Sequence, residues 1–397
     1  MTNKQLTIGL FGFGNVGRGL YEVLEKSPST RAQIRKIVVQ DKSKTRSIDS
    51  DYFSYNADDI LTCNEINTVA ELIDDDREAL KIVETALRNG KNVVSGNKKM
   101  IAENLQLLIK LQQQTGSSLL YDASACGSIP IIRNLEEYYD NDLLNEITGI
   151  LNGSSNYILT QMQKHNAAYR DAVNKAREKG FAESDPTFDV DGYDAMYKLI
   201  ILTLHGFGTI VSPDNVFFTG ISTIDTFDIQ FANEKRQKIK LIAKVYKTEA
   251  QKIALFVIPA FISKSSYIYN VDGEYNGVII DGEAYDKQLM FGKGAGSHPT
   301  GSAVLSDITA LSHNYKYEYK KHNFASVPEQ TNDVTIKVYF RYQDPAVPDL
   351  LPLQNIEEQY SGTTHHYTIG HVNIGDLISI KEILKQRNVF MALHELK

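Results

Sequence analysis

Cysteine is scarce. The 397 residues carry two, Cys63 and Cys126, far apart and in no metal-ligand spacing. That excludes a disulfide framework and a cysteine zinc site, and predicts free thiols in a reducing compartment. Positive charge is not in excess: 42 Lys and Arg face 49 Asp and Glu, a formal net charge of −7. A general nucleic-acid binder, or a protein held on acidic membranes, needs the opposite sign. No apolar run reaches the roughly 18 residues of a membrane-spanning helix. The first residues, MTNKQLTIGLF, enter a strand pattern directly and lack the apolar core of a secretory signal, so a cytoplasmic location is expected. Internal repeats and low-complexity tracts are missing too. With 42% apolar and 23% charged residues the composition is that of a soluble globular protein, and the length predicts about two or three domains.

What is present is alternation. Residues 6–11 (LTIGLF) predict a strand, 16–26 a helix with Val16, Leu20, Val23 and Leu24 on one side and Pro28 at its end, and 34–40 a second strand. That succession, within about 35 residues, builds a parallel sheet. A helix at 77–89, a strand at 92–95, a helix near 102–114 and a strand at 118–122 continue it. The fold class is therefore α/β, opening with a Rossmann-type doubly wound domain. Further on, helices are expected at 128–139, 154–165 and 169–179, and a strand at 146–151. From 253 to 290, short strands broken by glycine indicate a mixed sheet and a second, α+β domain. Residues 300–312 are again helical, and the connector NYKYEYKKHNF, with Pro328 after it, reads as a boundary. The tail mixes strands, a weak helix near 353–360 and a helix at LISIKEILKQ. The expected domains are 1–130 with 297–325 for a dinucleotide, 131–296 for substrate, and 330–397 as a small C-terminal α+β domain.

Gly12-Phe13-Gly14-Asn15-Val16-Gly17 is a G-x-G-x-x-G sequence with a strand before it and a helix after it. Glycines permit the tight turn and the approach of a pyrophosphate, and the helix N-terminus offers it N–H groups. The competing reading is a structural glycine turn. Cofactor choice is read just past the second strand. There Asp41 leans toward NAD, whereas Lys44 and Arg46 could hold a 2′-phosphate. NADP is favoured, with NAD as the alternative, against a merely exposed polar loop. Ser95-Gly96-Asn97-Lys98-Lys99 follows another strand, where such sheets place ligands. A lysine there can face the nicotinamide and the reacting oxygen, or simply open a helix. The small-residue loop from Asp122 to Pro130 either offers carbonyls to a monovalent cation or packs as a tight turn.

Residues 180–202 (GFAESDPTFDVDGYDAMYKLIIL) crowd Glu183, Asp185, Asp189, Asp191 and Asp194 before an apolar helix with one cation, Lys198. Asp194 and Lys198, four apart, share a helix face. On a surface such a pair is worth a few tenths of a kcal/mol. The apolar run from Leu199 to Leu204 instead predicts burial, and a lysine in a cleft beside a carboxylate can be tuned for proton transfer. The bland alternative is a solvated acidic loop. A calcium loop is excluded, because its alignment puts Lys198 where a bidentate Glu belongs.

Six segments, in order, resemble homoserine dehydrogenase: GFGNVG, SGNKKMIAEN, DASACGSIPII, ILNGSSNYILTQM, GFAESDPTFDVDGYDAMYKLIIL and FGKGAGSHPTGSAVLSD. The resemblance spans about residues 1–315. It implies NAD(P)-linked interconversion of L-homoserine and L-aspartate 4-semialdehyde, a homodimer, and a place in threonine, methionine and isoleucine synthesis. It implies Lys198 as general acid/base and Lys98 as a second lysine near the reacting oxygen and nicotinamide. Glu183 and Asp194 would hold the substrate's ammonium and hydroxyl end, with Asp189 a further acid and Gly180 in the turn beside the substrate. Gly296 would close over the cofactor, alongside Gly12 to Gly17, Ser95 and Lys98. Asp122, Ala125, Gly127 and Ile129 match the positions of a monovalent cation such as Na+. Gln40 stands where many NADP-using members carry Arg, and Asp122 where the family more usually has Glu. The lack of an amino-terminal kinase-like region implies a monofunctional chain, and the tail somewhat resembles a regulatory ACT module.

Two rival readings remain. One is another Rossmann amino-acid or semialdehyde dehydrogenase. A semialdehyde dehydrogenase needs a cysteine nucleophile, for which Cys126 is the sole candidate and lacks the asparagine expected beside it. The other is a catalytically inactive cofactor sensor, against which Lys98, Asp194 and Lys198 count.

Overall fold

The computed structural model describes residues 5–27 and 30–395. Pro28, expected to end the first helix, lies outside them. The chain forms two compact units, Met1–Asp140 with Lys293–Lys320, and Asn141–Gly292 with Lys321–Lys397.

Strands of the first unit are β1 (Leu6–Phe11), β2 (Ala32–Val38), β3 (Phe53–Ser54), β4 (Thr68–Glu71), β5 (Asn92–Ser95) and β6 (Leu119–Leu120). Among the described residues they form a six-stranded sheet in the order β3-β2-β1-β4-β5-β6. Each neighbouring pair is parallel. Leu10 and Phe11 point to opposite faces and both are buried, so the sheet is covered on each side. That is why β1 reads as an unbroken apolar run. The order reverses between β1 and β4, and the crevice beyond their carboxyl ends is where such sheets bind ligands. The strand expected at 118–122 stops at Leu120, because Asp122–Ser124 turn into a 3-10 helix. The helix Ser297–Leu311 returns to this unit. A Cβ on Gly19 would stand 2.1 Å from Ser297 O, so a glycine there lets that helix lie against Asn15–Glu25.

The second unit contains β7 (Leu144–Ile150), β8 (Phe217–Phe218), β9 (Lys238–Lys247), β10 (Ile253–Ile262), β11 (Tyr275–Gly282), β12 (Asp286–Lys293), β13 (Thr335–Tyr342), β14 (Leu353–Ser361), β15 (His366–Asn373) and β16 (Phe390–Leu393). Their order is β12-β11-β7-β9-β10-β16-β13-β15-β14, with β8 also on β10. The sheet is mixed: β9 runs antiparallel to β10, and β16 parallel to it. Within residues 330–397, expected as a domain of their own, β13 to β16 carry this sheet onward. The reason is apolar burial. Every residue of β10 is buried, and Ile258, Ala260 and Ile262 share one core with Val338, Phe340, Met391 and Leu393. Buried Arg341 ties the tail to Asp228, with its Nη2 2.9 Å from Oδ2.

The weak helix expected near 353–360 is the strand β14. Its side chains are largely exposed, and pairing with β15 decides its conformation over the helix propensity of Glu357 and Glu358. No helix among the described residues is long and apolar enough to cross a membrane.

Candidate active site

In the first unit the glycine loop follows β1. Gly12 has φ +91°, and a Cβ there would meet Leu72 O at 2.5 Å, so only glycine fits this turn. A Cβ on Gly17 would meet Gly12 O at 2.2 Å, whereas one on Gly14 would meet nothing within 4 Å. Gly14 and Asn15 are exposed, Val16 is half-buried, and the ring of Phe13 lies edge-on to Tyr21 and Phe53. The helix Asn15–Glu25 has no side-chain cap and no acid in its first turn. Its N–H groups and positive dipole end therefore face the open side of Gly14, a fit for pyrophosphate. The N-terminus of the helix Ser297–Leu311 reaches the same loop. Ser297 Oγ donates to Asn15 O at 2.7 Å, and Gly296 just before it has φ +126°.

Past β2, Gln40 and Lys44 are exposed. Asp41 folds back on its own turn: its Oδ1 accepts from Ser43 N at 2.8 Å and Ser43 Oγ at 2.6 Å. Those bonds hold its carboxyl below the usual range. Arg46 donates to Asp41 O at 2.6 Å and Lys44 O at 2.9 Å, and lies over the Phe53 ring. One oxygen of the acid that would bind a ribose 2′-hydroxyl is thus engaged within its own turn, and a guanidinium is fixed beside it.

Lys98 is half-buried and opens the helix Lys98–Glu103, which Asn97 caps through Met100 N at 3.0 Å. Behind it lies a residue the sequence reading missed. Glu71, wholly buried at the end of β4, accepts from Ile73 N at 2.8 Å and from Ser95 Oγ at 2.5 Å. Ser95 Oγ in turn accepts from Asn97 N at 3.1 Å. Glu71 therefore ties the turn after β4 to the turn that carries Lys98. A lone acid closing the apolar strand TVAE was the available signal.

Burial outweighs those bonds and pushes the Glu71 carboxyl from 4.5 up to about 7. The folded chain thus keeps a proton that the unfolded chain has released. This contribution to stability is full below about pH 4.5 and is lost as the pH rises through about 7. The shift is worth on the order of 3 kcal/mol. Glu71→Gln is expected to flatten this dependence. Thermal unfolding of both proteins at about pH 5 and about pH 8 measures it, and equal losses in the two would contradict it.

Asp122 is buried in the small-residue loop. Its Oδ1 accepts from Ile132 N at 2.9 Å and Arg133 N at 3.3 Å, and its own N–H donates to Asp307 Oδ2 at 2.9 Å. The carboxylate therefore caps the helix Ile131–Glu137. Burial and the nearby Asp122 push the Asp307 carboxyl well up. Among the described residues no group of three or more His, Cys, Asp or Glu could hold a metal. Any cation here would rest on Asp122 and on the carbonyls of Ala125, Gly127 and Ile129, all buried residues. Cys126 is fully buried, which disfavours a cysteine nucleophile.

The acidic stretch lies in the second unit. Gly180, φ +73°, stops the helix Tyr169–Glu178, with Gly180 N donating to Arg177 O and Phe181 N to Ala176 O. Arg177 then gathers the loop, its Nη2 donating to Ser184 O at 2.8 Å. The five carboxylates part ways. Glu183 is exposed, and Asp185 caps the turn at Thr187. Asp191 pairs with Lys385 of the tail at 2.8 Å. Asp189, in the short helix Thr187–Val190, and Asp194, in the helix Tyr193–Phe207, converge on Asn152. Asn152 Nδ2 donates to Asp189 Oδ1 at 2.7 Å and to Asp194 Oδ2 at 2.9 Å. Lys198 Nζ donates to the same Asp194 oxygen at 2.7 Å and to Leu151 O at 2.8 Å. Lys198 and Asp194 are 6% and 2% exposed, so this is no surface pair. Among the described residues two of the three Lys198 N–H groups are used, which leaves one for a ligand.

The structure thus gathers Asp189, Asp194 and Lys198. Among the described residues it does not bring the Glu183 carboxylate into their network. Asn152 escaped the sequence reading because NGSSN looks like a simple helix cap, a role it also fills through Ser155 N at 2.8 Å.

Comparison with known proteins agrees with both units. The family model "Homoserine dehydrogenase, NAD binding domain" matches residues 12–122, and the model "Homoserine dehydrogenase" matches 130–309. The chain is 31% identical to the homoserine dehydrogenase of Lactococcus lactis, over 99% of each sequence. The crystal structure of the homoserine dehydrogenase from Thiobacillus denitrificans has a TM-score of 0.85 at 28% identity, covering 99% of this chain and 98% of that one. A hyperthermophilic archaeal homoserine dehydrogenase solved in complex with NADPH has a TM-score of 0.67 at 25% identity, over 79% of this chain and 99% of its own. With a glycine-loop nucleotide unit and a buried lysine among acids on one chain, and with relatives alike from end to end, the chain belongs to the homoserine dehydrogenase family.

Proposed function

We propose that the chain interconverts L-homoserine and L-aspartate 4-semialdehyde with NADP, and that Lys198 moves the proton. The observation that carries this is the buried Lys198, bonded to Asp194 and Leu151 O with one N–H to spare. The nicotinamide supplies the two-electron hydride chemistry. The chain's residues do the rest. In the oxidation the substrate hydroxyl loses its proton to the amine of Lys198; in the reduction the ammonium of Lys198 returns it to the forming alkoxide. Asp194 and Asp189 give the negative field that an α-ammonium needs, with Glu183 as a further acid and Gly180 shaping the loop. Lys98 acts as the second cation near the reacting oxygen.

The dinucleotide would be held by Gly12, Phe13, Gly14, Asn15, Val16 and Gly17, with Ser95, Lys98 and Gly296 around it. The locally bonded Asp41 and the braced Arg46 support NADP over NAD, with Lys44 and Gln40 beside them. A monovalent cation held by the Asp122 acid and the carbonyls of Ala125, Gly127 and Ile129 would steady that loop. Strand β12 is an edge of its sheet and exposes Leu289 and Phe291, which supports a homodimer. The tail, with strands around the helix Ile374–Gln386, is read as an ACT-like extension. Two free cysteines support a reducing, cytoplasmic setting.

The test is homoserine oxidation followed at the nicotinamide absorbance, with each cofactor in turn. Turnover favouring NADP is expected. No turnover with either would sink the reading.

A further inference from the structure

We propose that Asn152 is a positioning residue: its side-chain amide holds Asp189 and Asp194 in register with each other and with Lys198. The inference rests on the role given to Lys198 and Asp194 above. Asn152 is 4% exposed and sits between β7 and the helix Gly153–His165. An amide nitrogen carries two N–H groups, and here it meets one oxygen of each acid, at 2.7 and 2.9 Å. These acids belong to different helices, Thr187–Val190 and Tyr193–Phe207, so Asn152 is a bridge between elements.

The chemistry explains why this residue is Asn. Two neighbouring carboxylates repel, and partial desolvation sharpens the repulsion. A cation between them would cancel the charge that a cationic substrate needs. A third carboxylate would add to the repulsion. A neutral amide donates to both and leaves their net charge intact. Ser, Thr, Asp and Asn all cap helices, yet only Asn can cap Ser155 N and still offer an N–H to each acid. The geometry also reaches Lys198. The Asp194 oxygen that Asn152 holds is the one Lys198 donates to, and the second acceptor of Lys198 is the carbonyl of Leu151, next in the chain. One short turn, Leu151–Asn152, therefore grips both halves of the ion pair. Asn276 Nδ2 donates to Leu151 O at 2.9 Å and steadies that turn from β11.

Asn152→Ser keeps a capping oxygen and removes the bridge. The full-length variant is expected to lose about 10- to 100-fold in kcat/KM for homoserine, the scale of lost bonds to charged groups. Its KM for NADP should stay close to the parent's, while its melting temperature should fall modestly, because two bonds to largely buried acids are lost. Asn152→Asp, which keeps shape and cap but adds a carboxylate, should lose at least as much. Parental kcat/KM for homoserine in Asn152→Ser would overturn the proposal, as would an equal rise in both KM values, the mark of a merely structural role. Lys198→Ala, assayed alongside, separates the two levels. If it is inactive while Asn152→Ser is normal, only this proposal fails; if it turns over normally, the reading beneath it fails. Should Asn152→Ser not fold, Asn152→Asp decides by the same split.

Discussion

Lys198→Ala is expected to lower kcat by about 100-fold or more, the usual scale for removing a general acid/base. The KM for NADP should barely move, because the dinucleotide is assigned to the glycine loop and not to this residue. The cause is local. Deleting the amine removes a donor from Asp194, which is 2% exposed, and leaves the substrate hydroxyl without a proton acceptor. Lys198→Met, which keeps most of the stem, guards against a folding defect. Steady-state kinetics of homoserine oxidation with both variants measures the effect. A small alkylamine added to Lys198→Ala should restore part of the lost rate. Normal turnover in both variants would mean that the proton leaves by another route.

Asp194→Ala should cost both activity and stability. It strips Lys198 of its counter-charge in a site where the ammonium is 6% exposed, and leaves one carbonyl, Leu151 O, as its acceptor. Breaking a buried pair by removing one partner typically costs about 3–5 kcal/mol. The substrate ammonium also loses an acid, so kcat/KM for homoserine is expected to fall about 100-fold or more. Asp194→Asn keeps shape and acceptor, and should recover much of the stability while activity stays low. Denaturant unfolding and kinetics on the two variants separate these effects. Equal stability in Asp194→Ala and the parent would show that the pair is solvated after all.

Much of this was legible in the residues. The G-x-G-x-x-G loop came with its strand and helix, and the structure has Gly12 at φ +91° where the turn needs it. Asp194 and Lys198, four apart before an apolar run, are paired and buried as the spacing suggested. What escaped notice was long-range. Asn152 meets Asp189 and Asp194 across 37 and 42 positions of sequence, and no local pattern encodes such a meeting. Glu71 looked like one more acid until β5 brought Ser95 against it. Strand β14 looked helical because its neighbours in space, not in sequence, decide its hydrogen bonds. Glu183 shows the converse: crowded with the others in sequence, it is exposed in the fold.

The most direct measurement is a crystal structure of the full chain with NADP and homoserine bound. Lys198 Nζ is predicted at hydrogen-bonding distance, about 2.6–3.2 Å, from the substrate's hydroxyl oxygen, with Asp194 still on its other side. A bound homoserine whose hydroxyl lies well beyond that reach, with Lys198 still locked on Asp194 and Leu151 O, would contradict the account.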